Sequence, residues 1–356
     1  MNGTYIIAEA GVNHNGSVKM AKELIRVAAK AGADAVKFQT FQAERLASSV
    51  APKAEYQMET TDVRESQVDM LKKLELPLSS YTDLMKECQE AGIDFLSTPF
   101  EEESLRFLTE ECGVSVLKIP SGEITNAPFL LQVARTRKDI ILSTGMSTLG
   151  EVEDALGVLA FGWLYDREPH SMRDFTNAYV DAQRNGMLRE KIRLLHCTTE
   201  YPAPFREVNL AAMDTMRQAF GLPVGYSDHT EGIAVALAAV ARGATVIEKH
   251  FTLDRNLPGP DHKASLEPEE LEEMVRGIWQ VEQAIGSSIK TVGESEKKNV
   301  AIARKSLVAG IPIGKGERFT KANLVVKRPG TGISPMRYWE ILGTEAEHEY
   351  ETDEVL

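Results

Sequence analysis

TYIIAEAGVNHNGSVKMAKELIRVAAKAGADAVKFQT (residues 4–40) contains a strand, a helix and a second strand in one continuous piece. TYIIAEA (4–10) and DAVKFQT (34–40) are continuous apolar runs, the pattern of parallel strands covered by helices. Between them VKMAKELIRVAAKAG (18–32) is amphipathic and closes on a glycine, a helix-stop signal. The same texture continues along the chain. IDFLSTP (93–99), SVLKIPS (115–121), DIILSTG (139–145), IRLLHCT (192–198), LPVGYSD (222–228) and ATVIEKHF (244–251) are further runs. GIAVALAAVARG (232–243) is another helix ending in glycine. Eight such units predict an α/β fold of the (β/α)8 TIM-barrel type, with a doubly wound open sheet as the alternative. A second regularity favours the barrel. The runs end in polar residues: Glu9, Lys37 with Gln39, Thr98, Lys118 with Ser121, Ser143, Thr198, Ser227 with His229, and Glu248 with His250. In a barrel these ends converge on one mouth, whereas an open sheet spreads them along an edge.

The chain has 356 residues, 43% of them hydrophobic, enough to bury a sizeable core and too apolar for disorder. A net charge of −13 argues against nucleic acid as a partner. It also requires any anion-binding site to concentrate its cations locally. Cys88, Cys112 and Cys197 form no CxxC pair, and their odd number suits a reducing compartment. No run reaches membrane-spanning length and the start lacks a signal-peptide pattern, so the expectation is a cytoplasmic protein. Residues 41–80 form a long polar connection with the character of a lid. Residues 160–191 read as a charged, partly helical, solvent-facing insertion. The expected organisation is a barrel over 1–284, a polar linker over 285–300 and a small β-rich domain over 301–356.

SDHT (227–230) and EKHF (248–251) place His229 and His250 at the ends of consecutive strands, about 4.8 Å apart in a sheet. Both imidazoles can then reach one metal ion and leave positions open for substrate. Each histidine alone reads more simply as a hydrogen-bonded strand end; the pairing favours the ligand reading. Lys37 and Lys118 lie inside apolar strands, where a lysine without a counter-charge is costly and an anionic ligand is a natural partner. Ser121, Ser143 and Ser227, with the glycine turns PSGE (120–123) and STGM (143–146), add donors for a phosphate. Glu9 reads as a general base or a sugar-hydroxyl acceptor. Cys197 reads as a small buried hydrophobe and His196 as a satisfied core histidine.

AEAGVNHNG, AVKFQT, STPF, KIPSGE, ILSTGM, LHCTTEYPAP, GYSDHT, IEKHFTLDR and GPDHKAS, in this order, resemble the sialic-acid synthases: the N-acetylneuraminate, legionaminate and pseudaminate synthases. ARKSLVA and VKRPGTGISP resemble the C-terminal antifreeze-like (SAF) domain of that family. The resemblance implies a domain-swapped homodimer and condensation of phosphoenolpyruvate with an N-acetylated amino sugar. It implies a divalent metal on His229 and His250, Mn²⁺ or Mg²⁺, with Co²⁺ or Zn²⁺ also able to bind. Lys37, Thr98, Lys118, Ser121, Ser143, Thr199 and Ser227 match phosphoenolpyruvate-holding positions. Gln39, Phe100, Tyr201 and Asp261 match sugar positions, and Arg328 matches an arginine reaching the acetamido group from the partner subunit. Glu9, Lys37, Glu123 and Glu248 match catalytic positions. The expected product is N-acetylneuraminate. The alternatives are an N,N'-diacetyllegionaminate synthase, a 3-deoxy-sugar-acid or aromatic-pathway synthase, and a sugar- or ice-binding protein.

Overall fold

The computed structural model describes residues 3–62 and 64–356. The chain divides into two compact units, Met1–Gly286 and Ser287–Leu356.

In the first unit eight parallel strands follow one another: β1 (Tyr5–Gly11), β2 (Ala35–Thr40), β3 (Asp94–Pro99), β4 (Val116–Ile119), β5 (Asp139–Ser143), β6 (Ile192–His196), β7 (Val224–Asp228) and β8 (Val246–His250). Their order is β3-β2-β1-β8-β7-β6-β5-β4. β3 and β4, at the two ends of that order, also pack side by side, so the sheet is a nearly closed TIM-type barrel. All eight strands lie on the apolar runs read from the sequence. The helix Val18–Ala31 begins at Ser17, whose side chain accepts the Met20 N–H, and ends at Gly32 in the left-handed region (φ 85°). It buries Ala21, Leu24, Ile25 and Ala28, the stripe that a 3.6-residue period puts on one face.

Side chains alternate between the two faces of each strand. One set, including Ile6, Val36, Phe38, Leu117, Leu142, Tyr226 and Ile247, packs against the helices as the main core. The other set, Ile7, Ala35, Leu96, Ile141, Leu195 and Val246, forms a separate apolar cluster inside the barrel. Gly225 belongs to the inward set because no side chain fits there. A Cβ would stand 2.3 Å from the Val246 carbonyl oxygen and 2.7 Å from Leu195 Cδ2.

Two connections differ from their sequence reading. Residues 41–80 are not simply a polar loop: they hold the short helices Ala43–Leu46, Glu55–Thr60 and Gln67–Lys72. Phe41, Met70 and Leu74 of this segment pack with Val12. Pieces this short give too few turns for a helical period to show. The insertion at 160–191 is helical over Met172–Arg184 and Met187–Lys191, but it is not wholly solvent-facing. Phe175, Ala178 and Ala182 are buried, and Phe175 meets Phe161 edge-on at 5.6 Å.

In the second unit, residues read as linker begin the helix Glu294–Ala303. It is followed by the antiparallel pair β9 (Ser306–Ala309) and β10 (Leu324–Lys327). Leu307, Ala309, Ile313, Phe319, Leu324 and Ala346 form its core. Among the described residues no helix is long and apolar enough to cross a membrane.

The three cysteines are free thiols. Burial pushes the Cys88 thiol up to about 12 and that of Cys112 up to about 11. Thiolate is the reactive form, so a disulfide reagent at pH 8 is expected to leave Cys88 unmodified in the native protein and to label it after denaturation. Rapid labelling of native Cys88, read by mass spectrometry, would contradict its placement in the core.

Candidate active site

Each inward apolar residue is followed two positions later, towards the strand's C-terminal end, by a residue of the site. Glu9 follows Ile7, Lys37 follows Ala35, Thr98 follows Leu96, Lys118 follows Val116 and Ser143 follows Ile141. Cys197 follows Leu195, Ser227 follows Gly225, and Val246 leads to Glu248 and then His250. Parallel register aligns them: Glu9 pairs with Lys37 on one side and His250 on the other, and Ser227 pairs with Glu248. Above the apolar floor these residues line one cavity of about 350 Å³, with Gln39, Phe100, Ser121, Thr199, Tyr201, His229 and Asp261.

At its base two lysines and two carboxylates form a buried network. Lys37 Nζ lies 2.7 Å from Glu9 Oε2 and 3.7 Å from Glu248 Oε2, and it donates to Thr98 Oγ1 at 3.1 Å. Lys118 Nζ lies 3.3 Å from Glu248 Oε1, which also accepts the Ser227 hydroxyl at 2.8 Å. Glu248 faces both lysines, whereas Glu9 has a close contact with Lys37. Burial works to raise both carboxyls. Lys118 and Lys37 outweigh it at Glu248, which stays ionised below the usual carboxylate range. Glu9 is pushed up to about 7 by burial, with Lys37 offsetting only part of that. Burial also lowers the Lys118 ammonium, and Glu248 opposes it.

His229 and His250 stand with ring centroids 5.8 Å apart. His229 Nδ1 lies 2.6 Å from the Thr198 carbonyl oxygen. A carbonyl only accepts, so Nδ1 carries the proton and the Nε2 lone pair faces the Tyr201 and Ser227 hydroxyls, each at 3.2 Å. Tyr201 stacks on His229 at 4.2 Å. Burial lowers His229 to about 4 and His250 well below its usual range, so both rings are neutral. His250 Nδ1 is buried without a hydrogen-bond partner among the described residues, and Asp261 Oδ2 lies 3.8 Å away. Burial raises the Asp261 carboxyl to about 6.

A third corner is built for close approach of backbone. The Gly145 N–H donates to Ser121 Oγ at 2.9 Å. A Cβ at Gly145 would lie 2.3 Å from Thr199 Oγ1 and 2.8 Å from Ser121 Oγ, so no larger residue fits.

One expected site residue of the barrel stands apart. Glu123 does not line the cavity; its carboxylate accepts from Asn126 Nδ2 at 2.7 Å, which is helix-capping work. Arg328 lies exposed in the second unit, its Nε donating to the Ala303 carbonyl at 3.0 Å. His196 is the satisfied histidine expected, with Nε2 2.7 Å from the Val208 carbonyl oxygen. Cys197, read as a structural hydrophobe, lines the cavity with Sγ 3.2 Å from Ser121 Oγ. Its parity with Leu195 was the available signal. The apolar lining residues Val12, Leu46, Met70, Leu71 and Leu74 were not singled out at all.

A family model described as the NeuB family matches residues 24–290. The chain belongs to the NeuB family. This NeuB-family chain is 53% identical over 356 residues to an N,N'-diacetyllegionaminic acid synthase of Campylobacter jejuni, covering all of this chain and 99% of that protein. It is 44% identical to an N,N'-diacetyllegionaminic acid synthase of Legionella pneumophila, over 96% of this chain and 89% of that one. Among solved structures, an N-acetylneuraminic acid synthetase from Leptospira borgpetersenii is similar with a TM-score of 0.66 and 32% identity. That match covers 84% of this chain and 90% of the other.

Proposed function

We propose that this chain condenses phosphoenolpyruvate with an N-acetylated amino sugar, and that the sugar is 2,4-diacetamido-2,4,6-trideoxymannose, giving N,N'-diacetyllegionaminate. The observation that carries the reaction is the meeting of Lys37, Lys118, His229 and His250 in one cavity. The sugar assignment is supported by whole-length identity of 53% to a diacetyllegionaminic acid synthase, against 32% to the N-acetylneuraminic acid synthetase. It replaces N-acetylneuraminate, the product expected from the sequence, as the leading reading.

His229 and His250 would hold a divalent metal. Their neutral rings, the unprotonated Nε2 of His229 and the Nδ1 of His250, which has no hydrogen-bond partner among the described residues, fit that role. Among the described residues no group of three or more His, Cys, Asp or Glu is arranged around one point, so substrate and water oxygens would complete the shell. When bound, such an ion supplies Lewis acidity at the aldehyde oxygen.

The chain's own residues do the remainder. Lys37 and Lys118, with the hydroxyls of Ser121 and Thr199, hold the phosphate and carboxylate of phosphoenolpyruvate. Carbon 3 bonds to the aldehyde carbon as the C=O π pair moves onto oxygen, which takes up a proton to become a hydroxyl; positive charge develops at carbon 2, and water adds there. Phosphate then leaves with cleavage of its C–O bond, and the lysines neutralise the departing charge. Glu9 takes the proton of that water, because Glu248 is held ionised by two lysines and is a weak base. Tyr201, Gln39 and Asp261 orient the sugar. The second unit would be the antifreeze-like domain of a cytoplasmic homodimer, presenting Arg328 of the partner subunit to an acetamido group.

Phosphate release with Mn²⁺ and phosphoenolpyruvate tests this reading. The diacetamido sugar is expected to give at least about tenfold higher kcat/KM than N-acetylmannosamine. The reverse preference would restore the N-acetylneuraminate reading, and no release with either sugar would reject the condensation.

A further inference from the structure

The cavity changes character across its width. The strand ends of β7 and β8 supply the imidazoles, and the turns after β4, β5 and β6 supply the hydroxyl and glycine corner. The side beyond β1 to β3 is largely carbon, with the side chains of Gln57 and Gln67 also among its lining. There Val12, Leu46, Met70, Leu71, Leu74 and Phe100 all line the cavity and belong to one apolar cluster. Four of the six come from the connection between β2 and β3. The helices Ala43–Leu46 and Gln67–Lys72 of that connection pack on each other, so the wall is held as a surface rather than as separate side chains. Met70 and Leu74 are 2% and 6% exposed, while Leu46, Leu71 and Phe100 are half-buried and turn part of their surface to the cavity.

Such a wall has no use for the anionic substrate. A primary alcohol pressed against its carbon surface gives up its water without a replacement partner there, and among the described residues of this connection only Gln57 and Gln67 offer polar side chains to the cavity. A sugar whose reacting aldehyde lies at the imidazoles must carry its opposite end away from them. We infer that the wall formed by Leu46, Met70 and Leu71 seats a methyl terminus of the sugar, so that the β2–β3 connection selects 6-deoxy acceptors over 6-hydroxy ones. This rests on the condensation reading above. It names which part of the chain enforces the missing hydroxyl, and it is independent of any second acetamido group.

The test uses a matched pair of sugars, N-acetylmannosamine and its 6-deoxy analogue, which differ in a single hydroxyl. An apolar pocket rejects an added hydroxyl by up to about a hundredfold. The unmodified enzyme is expected to favour the 6-deoxy sugar in kcat/KM by about tenfold or more. Leu46→Ser and Leu71→Asn, each at a half-buried position, are expected to reduce that ratio by about tenfold, mainly through KM of the deoxy sugar. Val50→Ser is the control: Val50 lies in the same connection, is 87% exposed and does not line the cavity, and the ratio should stay unchanged. A ratio near one in the unmodified enzyme overturns the inference without the need for any variant. So does an unchanged ratio in either variant whose circular dichroism and melting match the parent. No phosphate release from the unmodified enzyme with any sugar overturns the condensation itself, and the two failures are thereby told apart.

Discussion

His250→Ala is expected to lower kcat/KM by about a thousandfold while leaving the fold intact, since in the proposed metal role the imidazole pair would supply several kcal/mol of transition-state stabilisation at the aldehyde oxygen. The reason to expect an intact fold is specific. His250 Nδ1 has no hydrogen-bond partner among the described residues, so its removal orphans none of them at that atom. His229→Ala is expected to have a similar effect on activity with a larger structural cost of about 1 kcal/mol, because its Nδ1–H serves the Thr198 carbonyl. Titration of Mn²⁺ into each variant gives a readout besides turnover, and affinity should fall by more than tenfold. Unaltered activity and unaltered Mn²⁺ affinity in folded His250→Ala protein would remove the metal reading and leave the histidines as cavity lining.

Lys118→Met should reduce kcat/KM for phosphoenolpyruvate by about 10²- to 10³-fold. Methionine keeps most of the length and volume of lysine and removes only the charge. Two consequences follow from the network. The anion loses a cation that no neighbour replaces, because Lys37 is already shared by Glu9 and Glu248. Glu248 keeps Lys37 and the Ser227 hydroxyl, so the loss of stability should fall near the lower end for breaking a buried pair, about 3 kcal/mol. Steady-state kinetics with phosphoenolpyruvate varied at saturating sugar, alongside thermal melting, separates the two. A variant that binds phosphoenolpyruvate normally would show that Lys118 only balances Glu248.

A net charge of −13 makes this network more informative. Two ammonium groups are held in this acidic protein by two buried carboxylates. On the proposed reading, an arriving dianion would compete with Glu9 and Glu248 for the same lysines.

The barrel was legible in the chain because its signal is local. Strand, helix stop and strand follow one another in residues 4–40, and each pattern needs only neighbouring residues to be read. The polar residues that end the runs then predict one shared mouth, and this placed Glu9, Lys37, Thr98, Lys118, Ser143, Ser227 and Glu248 together. Two matters lay beyond it. Glu123 matched a motif position, yet the turn directs its carboxylate to Asn126, since short helical turns have no fixed parity with the strand before them. Cys197 shared parity with Leu195 but carried no chemistry that a sequence argument would pick out.

Sequence alone therefore determined the strand and helix order and the convergence of polar strand ends, both consequences of local patterning along the chain. Only tertiary structure decided the ionic partners within the cavity and the apolar wall over β1 to β3. Both depend on distances between segments far apart in the chain: Lys37 meets Glu248, and Val12 meets Met70, through the closure of the barrel and the packing of short helices. Periodicity carries no information about such distances; the register of parallel strands and the packing of side chains do.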